Sequence, residues 1–86
     1  MQLLEIYKDT LAEIGKAETK HPGWPRDVVH GAAIAAEECG SMVKAAVDLY
    51  YHRGSRQQLK KETLHMIAMG FRLLMHLEEY RPAEEE

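Results

Sequence analysis

Along the 86 residues, apolar side chains recur at three- and four-residue intervals almost throughout, and no alternating run of β-branched residues bounded by turn signals interrupts them. That period belongs to the α-helix, so the chain reads as all-α. Leu3, Leu4, Tyr7, Leu11 and Ile14 form one stripe on a first helix, whose pattern fades into the polar stretch Lys16 to Lys20. His21-Pro22-Gly23-Trp24-Pro25 then predicts an ordered elbow, because the prolines fix φ and the glycine frees it. Proline suits a first helical turn, so a second helix is predicted from Pro25 to about Arg53, with Gly54 as its left-handed C-terminal cap. Ser55-Arg56-Gln57-Gln58 has the spacing of a capping box and predicts a third helix that runs to about Tyr80 and stops before Pro82. Residues 1–82 therefore read as one helical domain, and the self-repelling acidic stretch 83–86 as a disordered tail.

The apolar arcs are too wide for this chain to cover alone. On the second helix Ile34, Ala45, Leu49, Met42, Val28, Ala46, Ala32, Val43 and Val47 span roughly 220°, against the 100° that one packing face needs. Leu59, Met66, Leu73, Leu77, Ile67, Leu74, Phe71 and Leu64 do the same on the third. The expectation is a two-helix hairpin that pairs with another copy, giving a homodimer or homotetramer around a four-helix core.

Composition narrows the setting. A chain of this length buries only about 60 % of the surface it exposes unfolded, so its own core is marginal. The single Cys39 excludes an internal disulfide and reads as a packing residue in a reducing compartment. No apolar run reaches the roughly 20 residues of a membrane span, and the N-terminus lacks a signal-peptide layout, so a cytoplasmic protein without a membrane partner is expected. The net charge of −3 gives no basic surplus for gripping a nucleic-acid polymer. Three of the 14 acids are Glu84, Glu85 and Glu86, which leaves 11 acidic and 11 basic residues elsewhere. The rest of the chain is thus neutral by count and open to a small phosphate-bearing ligand.

Several polar residues sit where apolar ones are expected. Glu38 has Ile34, Met42 and Ala45 one turn away, and a lone carboxylate there needs a partner or a cation. Glu37, His30, Lys44 and Asp48 share a strip that reads as a solvated face. On the third helix Glu62, His65, Met69, Arg72 and His76 follow at steps of three and four, bordering Met66 and Leu73. Glu62 and His65 can reach one metal ion, joined by Glu38 if the two helices are antiparallel neighbours. Trp24 is the one aromatic in the elbow, suited equally to stacking on a nucleobase or to stapling the second helix. A Gly-rich phosphate loop, a paired-cysteine zinc signature and a local Ser/His/Asp motif are all missing from the chain.

Taken together, HPGWPRDVVHGAAIAAEECGSMVKAA, a glycine break and LKKETLHMIAMGFRLL resemble the MazG-like all-α NTP pyrophosphohydrolases, particularly the short forms of phages and mobile elements. The resemblance covers roughly His21 to Leu77. In that family EExxE and ExxD hold Mg²⁺ against a triphosphate, so it implies Glu37 and Glu38 as the paired acids, catalytic if the protein is active, and Glu62 as the acid opening the second motif. Ser41 and His65 stand where the family has Glu and Asp. Losing two carboxylates weakens a Mg²⁺ site, while His65 suits a softer ion such as Mn²⁺ or Zn²⁺. The resemblance therefore implies, first, a protein that holds a nucleotide or nucleotide-derived signal with little hydrolysis, as a phage-encoded anti-defence protein would. Trp24 would stack on the base, and Lys20, His30, Ser41, His65 and Arg72 would contact the ligand. An active metal-dependent pyrophosphohydrolase releasing NMP and pyrophosphate is the second reading, and a ligand-free helical interaction module the third.

Overall fold

Helix α1 (Leu3–Lys20) runs straight through the polar stretch at its end, with Glu5 in its first turn and Lys20 in its last, each favourably placed on the helix dipole. It stops at His21 because the residue before a proline is driven out of helical conformation. The computed structural model describes residues 1–83, so all but the first residue of the tail expected at 83–86 lies outside the described residues. Among the described residues there are three α-helices, a short 3₁₀ turn and no strand, so the chain is all-helical.

Helix α2 (Val28–Tyr50) starts three residues later than Pro25 implied. Asp27 is the true N-cap: its carboxylate accepts from the backbone N–H groups of Val29 at 2.8 Å and His30 at 3.4 Å. Pro25 thus belongs to the elbow. Asp27→Ala is expected to cost about 1 kcal/mol in a urea titration, the usual loss for such a cap. The helix also ends early, at Tyr50 instead of Arg53, and the left-handed residue after it is His52 (φ 63°), not Gly54. Gly54 serves another need, since a Cβ there would lie 3.0 Å from the Asp48 Cβ and 3.2 Å from the Leu49 nitrogen.

Helix α3 (Arg56–Met75) begins where expected, with Ser55 Oγ accepting from the Gln58 N–H at 3.0 Å. The capping box is only half formed, because the Gln58 side chain reaches forward to Glu62 at 2.9 Å and not back to Ser55. The helix ends at Met75, five residues short of Tyr80, and the chain passes through the 3₁₀ turn Leu77–Glu79.

Packing centres on α3, which takes α2 along one side and α1 along another. The ion pairs Asp9–Lys60, Glu13–His65 and Glu18–Arg72 advance together, so α1 runs parallel to α3. These pairs set the rotation of α1: Thr10 and Ile14 turn inward, while Leu3, Leu4, Tyr7 and Leu11 of the apolar stripe stay exposed. The polar strip of α3 consequently forms the seam with α1. Among the described residues the buried apolar side chains are few and mostly small, namely Ile14, Ala45 and Ala68. No helix among the described residues is long and apolar enough to cross a membrane.

Candidate functional site

The upper part of the α1–α3 seam is built around His65. Its Nε2 lies 2.8 Å from Glu13 Oε1 on α1, while its Nδ1 faces Glu62 Oε2 at 3.7 Å and Glu38 Oε2 at 4.0 Å. Helical geometry makes this possible. Glu62 and His65 are one turn apart on α3, and the antiparallel hairpin brings Glu38 of α2 alongside them. One donor atom from each of Glu38, Glu62 and His65 falls within 4.8 Å of the others. The four side chains are between 17 % and 31 % exposed, so they meet water without being fully solvated. Gln58 steadies Glu62 through its amide, which leaves the other carboxylate oxygen toward His65.

A cleft of about 310 Å³ takes Glu13, Glu38 and His65 of this cluster into its wall, with Glu62 behind them. Glu13, Glu38 and His65 form its acidic end, Ala17, Ala68 and Met69 its apolar floor, and Lys16, Lys20 and His21 line the rest. Lys20 and His65, both named from the sequence, line this cleft. Glu13, Lys16 and His21 were not singled out by local spacing, because the first helix carries no motif and its link to α3 spans some fifty residues. Arrayed this way, the cleft offers oxygen and imidazole donors for a cation beside ammonium groups for an anion.

Other residues proposed from sequence stand elsewhere. Glu37 and Ser41 are exposed on α2, with the Ser41 hydroxyl donating to the Glu37 carbonyl at 3.5 Å, so neither joins Glu38 at the cluster. His30 is exposed in the first turn of α2. Arg72 is no phosphate contact within this chain: it is 3 % exposed and donates through Nη2 to Glu18 at 3.3 Å and to the carbonyls of His21 at 2.6 Å and Gly23 at 3.4 Å. Trp24 is spent on packing as well. The Arg72 guanidinium lies 4.9 Å from its ring, His76 stacks on it at 5.9 Å, and its Nε1 donates to Tyr80 Oη at 2.8 Å. It acts as the staple of the elbow and does not line the cleft. Cys39, expected to pack, is exposed on the outer side of α2.

No family model, curated protein or solved structure matches the chain.

Proposed function

We propose that the cleft binds a phosphorylated small molecule, a nucleotide or nucleotide-derived signal, through a divalent cation held by Glu38, Glu62 and His65, and retains it with little hydrolysis. The observation that carries this reading is the adjacency of a three-donor cluster to a cleft bearing Lys16 and Lys20. A cation there neutralises phosphate charge and polarises the phosphoryl oxygens. The lysines add attraction for the remaining negative charge, and the Ala17, Ala68 and Met69 floor accepts a sugar or base edge. With Trp24 engaged in the elbow, base identity counts for little, so purine and pyrimidine nucleotides with equal phosphate chains are expected to bind alike.

The MazG-like resemblance points to the same class of ligand. Retention is favoured over turnover because Glu38 and Glu62 are taken up as ligands, Glu13 is engaged by His65 at 2.8 Å, and Glu37 is exposed elsewhere on α2. Self-association belongs to this reading too: α2 exposes Val28, Val29, Val43, Val47 and Tyr50, which the chain itself leaves uncovered.

The test is a thermal-shift panel of nucleoside mono-, di- and triphosphates and cyclic dinucleotides with Mn²⁺ or Mg²⁺, with chromatography of the recovered ligand. A cation-dependent rise in melting temperature with intact ligand is expected, and Glu38→Ala is expected to abolish it. Pyrophosphate release lost in Glu38→Ala would instead establish the hydrolase. Absence of any shift, with or without cation, would leave the interaction module as the correct reading.

A further inference from the structure

The donor set does not match the ion that the family resemblance implies. Mg²⁺ demands a near-octahedral shell of oxygens, whereas Glu38, Glu62 and His65 supply two carboxylates and an imidazole nitrogen. Imidazole beside carboxylate suits Mn²⁺, Co²⁺ or Zn²⁺. The chemistry of the ligands therefore selects a borderline transition ion over a hard one.

The orientation of the imidazole sharpens this. At 2.8 Å from a carboxylate oxygen, His65 Nε2 has to carry a proton, since a nitrogen lone pair would be repelled by Glu13 at that distance. In the neutral ring the lone pair then belongs to Nδ1, which faces Glu62 and Glu38. Facing two carboxylates, Nδ1 calls for a positive centre, either a second ring proton or a cation lying between it and the two oxygens. A divalent cation among the three meets that need with a coordinate bond to each. The outer nitrogen of a metal-bound histidine characteristically pairs with a carboxylate that fixes the tautomer and raises ligand basicity, and Glu13 stands in that position.

We propose that Glu38, Glu62 and His65 Nδ1 bind a divalent transition ion, with Glu13 acting from α1 as the positioning residue that sets the His65 tautomer. This rests on the cation reading above and adds the class of ion and the part played by α1. Three protein donors leave at least one coordination position for a ligand oxygen, as in zinc sites that bind substrate. Because Glu13 is on α1 and the ligands are on α2 and α3, ion binding ties all three helices together at one point.

Titration of the full chain with Co²⁺, followed by visible absorption, and competition of Co²⁺ against Zn²⁺, Mn²⁺ and Mg²⁺ tests the proposal without any nucleotide. Zn²⁺ is expected to displace Co²⁺ stoichiometrically, and millimolar Mg²⁺ to leave the spectrum unchanged. Glu13→Gln is expected to weaken Co²⁺ binding about 10- to 100-fold, while circular dichroism of the ion-free variant remains that of the parent. Long-range ¹H–¹⁵N spectra of the Zn²⁺ form are expected to show His65 protonated at Nε2 and metallated at Nδ1. If the parent binds Co²⁺ and loses it in Glu38→Ala, yet Glu13→Gln binds equally well or Nε2 is the metallated atom, the role of Glu13 is overturned and the cation site stands. Displacement of Co²⁺ by Mg²⁺ at comparable concentration overturns the ion class. Failure of the parent to bind any of the four ions removes both the proposal and the reading beneath it.

Discussion

Arg72→Ala is expected to destabilise the fold by about 2–3 kcal/mol, which corresponds to a fall of roughly 10–20 °C in melting temperature for a domain of this size. The substitution removes a 3 % exposed guanidinium that donates to Glu18 and to the His21 and Gly23 carbonyls, and that covers Trp24. Two elbow carbonyls then lose their donor, and Glu18 keeps only the His76 Nε2 contact at 3.8 Å. Arg72 Nε has no partner of its own, which holds the expected loss below that of a fully satisfied buried ion pair. Lysine has no planar guanidinium to lie over Trp24, so Arg72→Lys is expected to recover only part of the loss. Trp24 reports the local event, because its emission should move to the red as the ring loses its cover. A melting temperature within about 2 °C of the parent, together with unchanged emission, would show that Arg72 does not pin the elbow.

That role was hidden in the sequence for a physical reason. Spacing along one helix shows which residues share a face, and it correctly joined Glu62, His65, Arg72 and His76. It does not show what the face meets. The partners Glu13 and Glu18 lie over fifty residues away on a helix whose most conspicuous signal is the Leu4-Tyr7-Leu11 stripe, and the polar seam outweighed that stripe in setting the rotation of α1. Element ends follow the same logic. Ser55 was legible because its hydroxyl satisfies a backbone group three residues on. Around Pro25 and Gly54, two local rules competed. The Asp27 carboxylate prevailed at the first, and at the second His52 took the positive φ while Gly54 answered a steric contact with Asp48. The Glu38–Glu62–His65 cluster was visible from helical period plus one assumption, an antiparallel hairpin. The phosphate-facing lysines and the second side of His65 required α1 to be in place.

The self-association proposed above is expected to weaken at least 100-fold in Val43→Glu. Val43 is 56 % exposed, midway along the outer face of α2, where Val28, Ala32, Ala36, Cys39, Ala46, Val47 and Tyr50 also lie. Over 23 residues this face is roughly 34 Å long and carries no charged side chain; Glu37, Lys44 and Asp48 sit to one side of it. The chain exposes 6688 Å², against about 5,200 Å² for a folded monomer of its mass. The excess, about 1,500 Å² per chain, is the order that each partner buries in an obligate dimer. A core of Ile14, Ala45 and Ala68 with no large side chain fully enclosed leads to the same expectation, because covering α2 supplies the missing burial. A glutamate at position 43 places an unpaired charge at the centre of that contact, so the variant should also melt at lower temperature and with less cooperativity. Lys44→Gln, one position round the helix on the charged side, is expected to leave the assembly intact. Sedimentation velocity at micromolar concentration decides the matter: a parent that sediments as a monomer, or a Val43→Glu variant with the parent's mass, would show that this face stays bare.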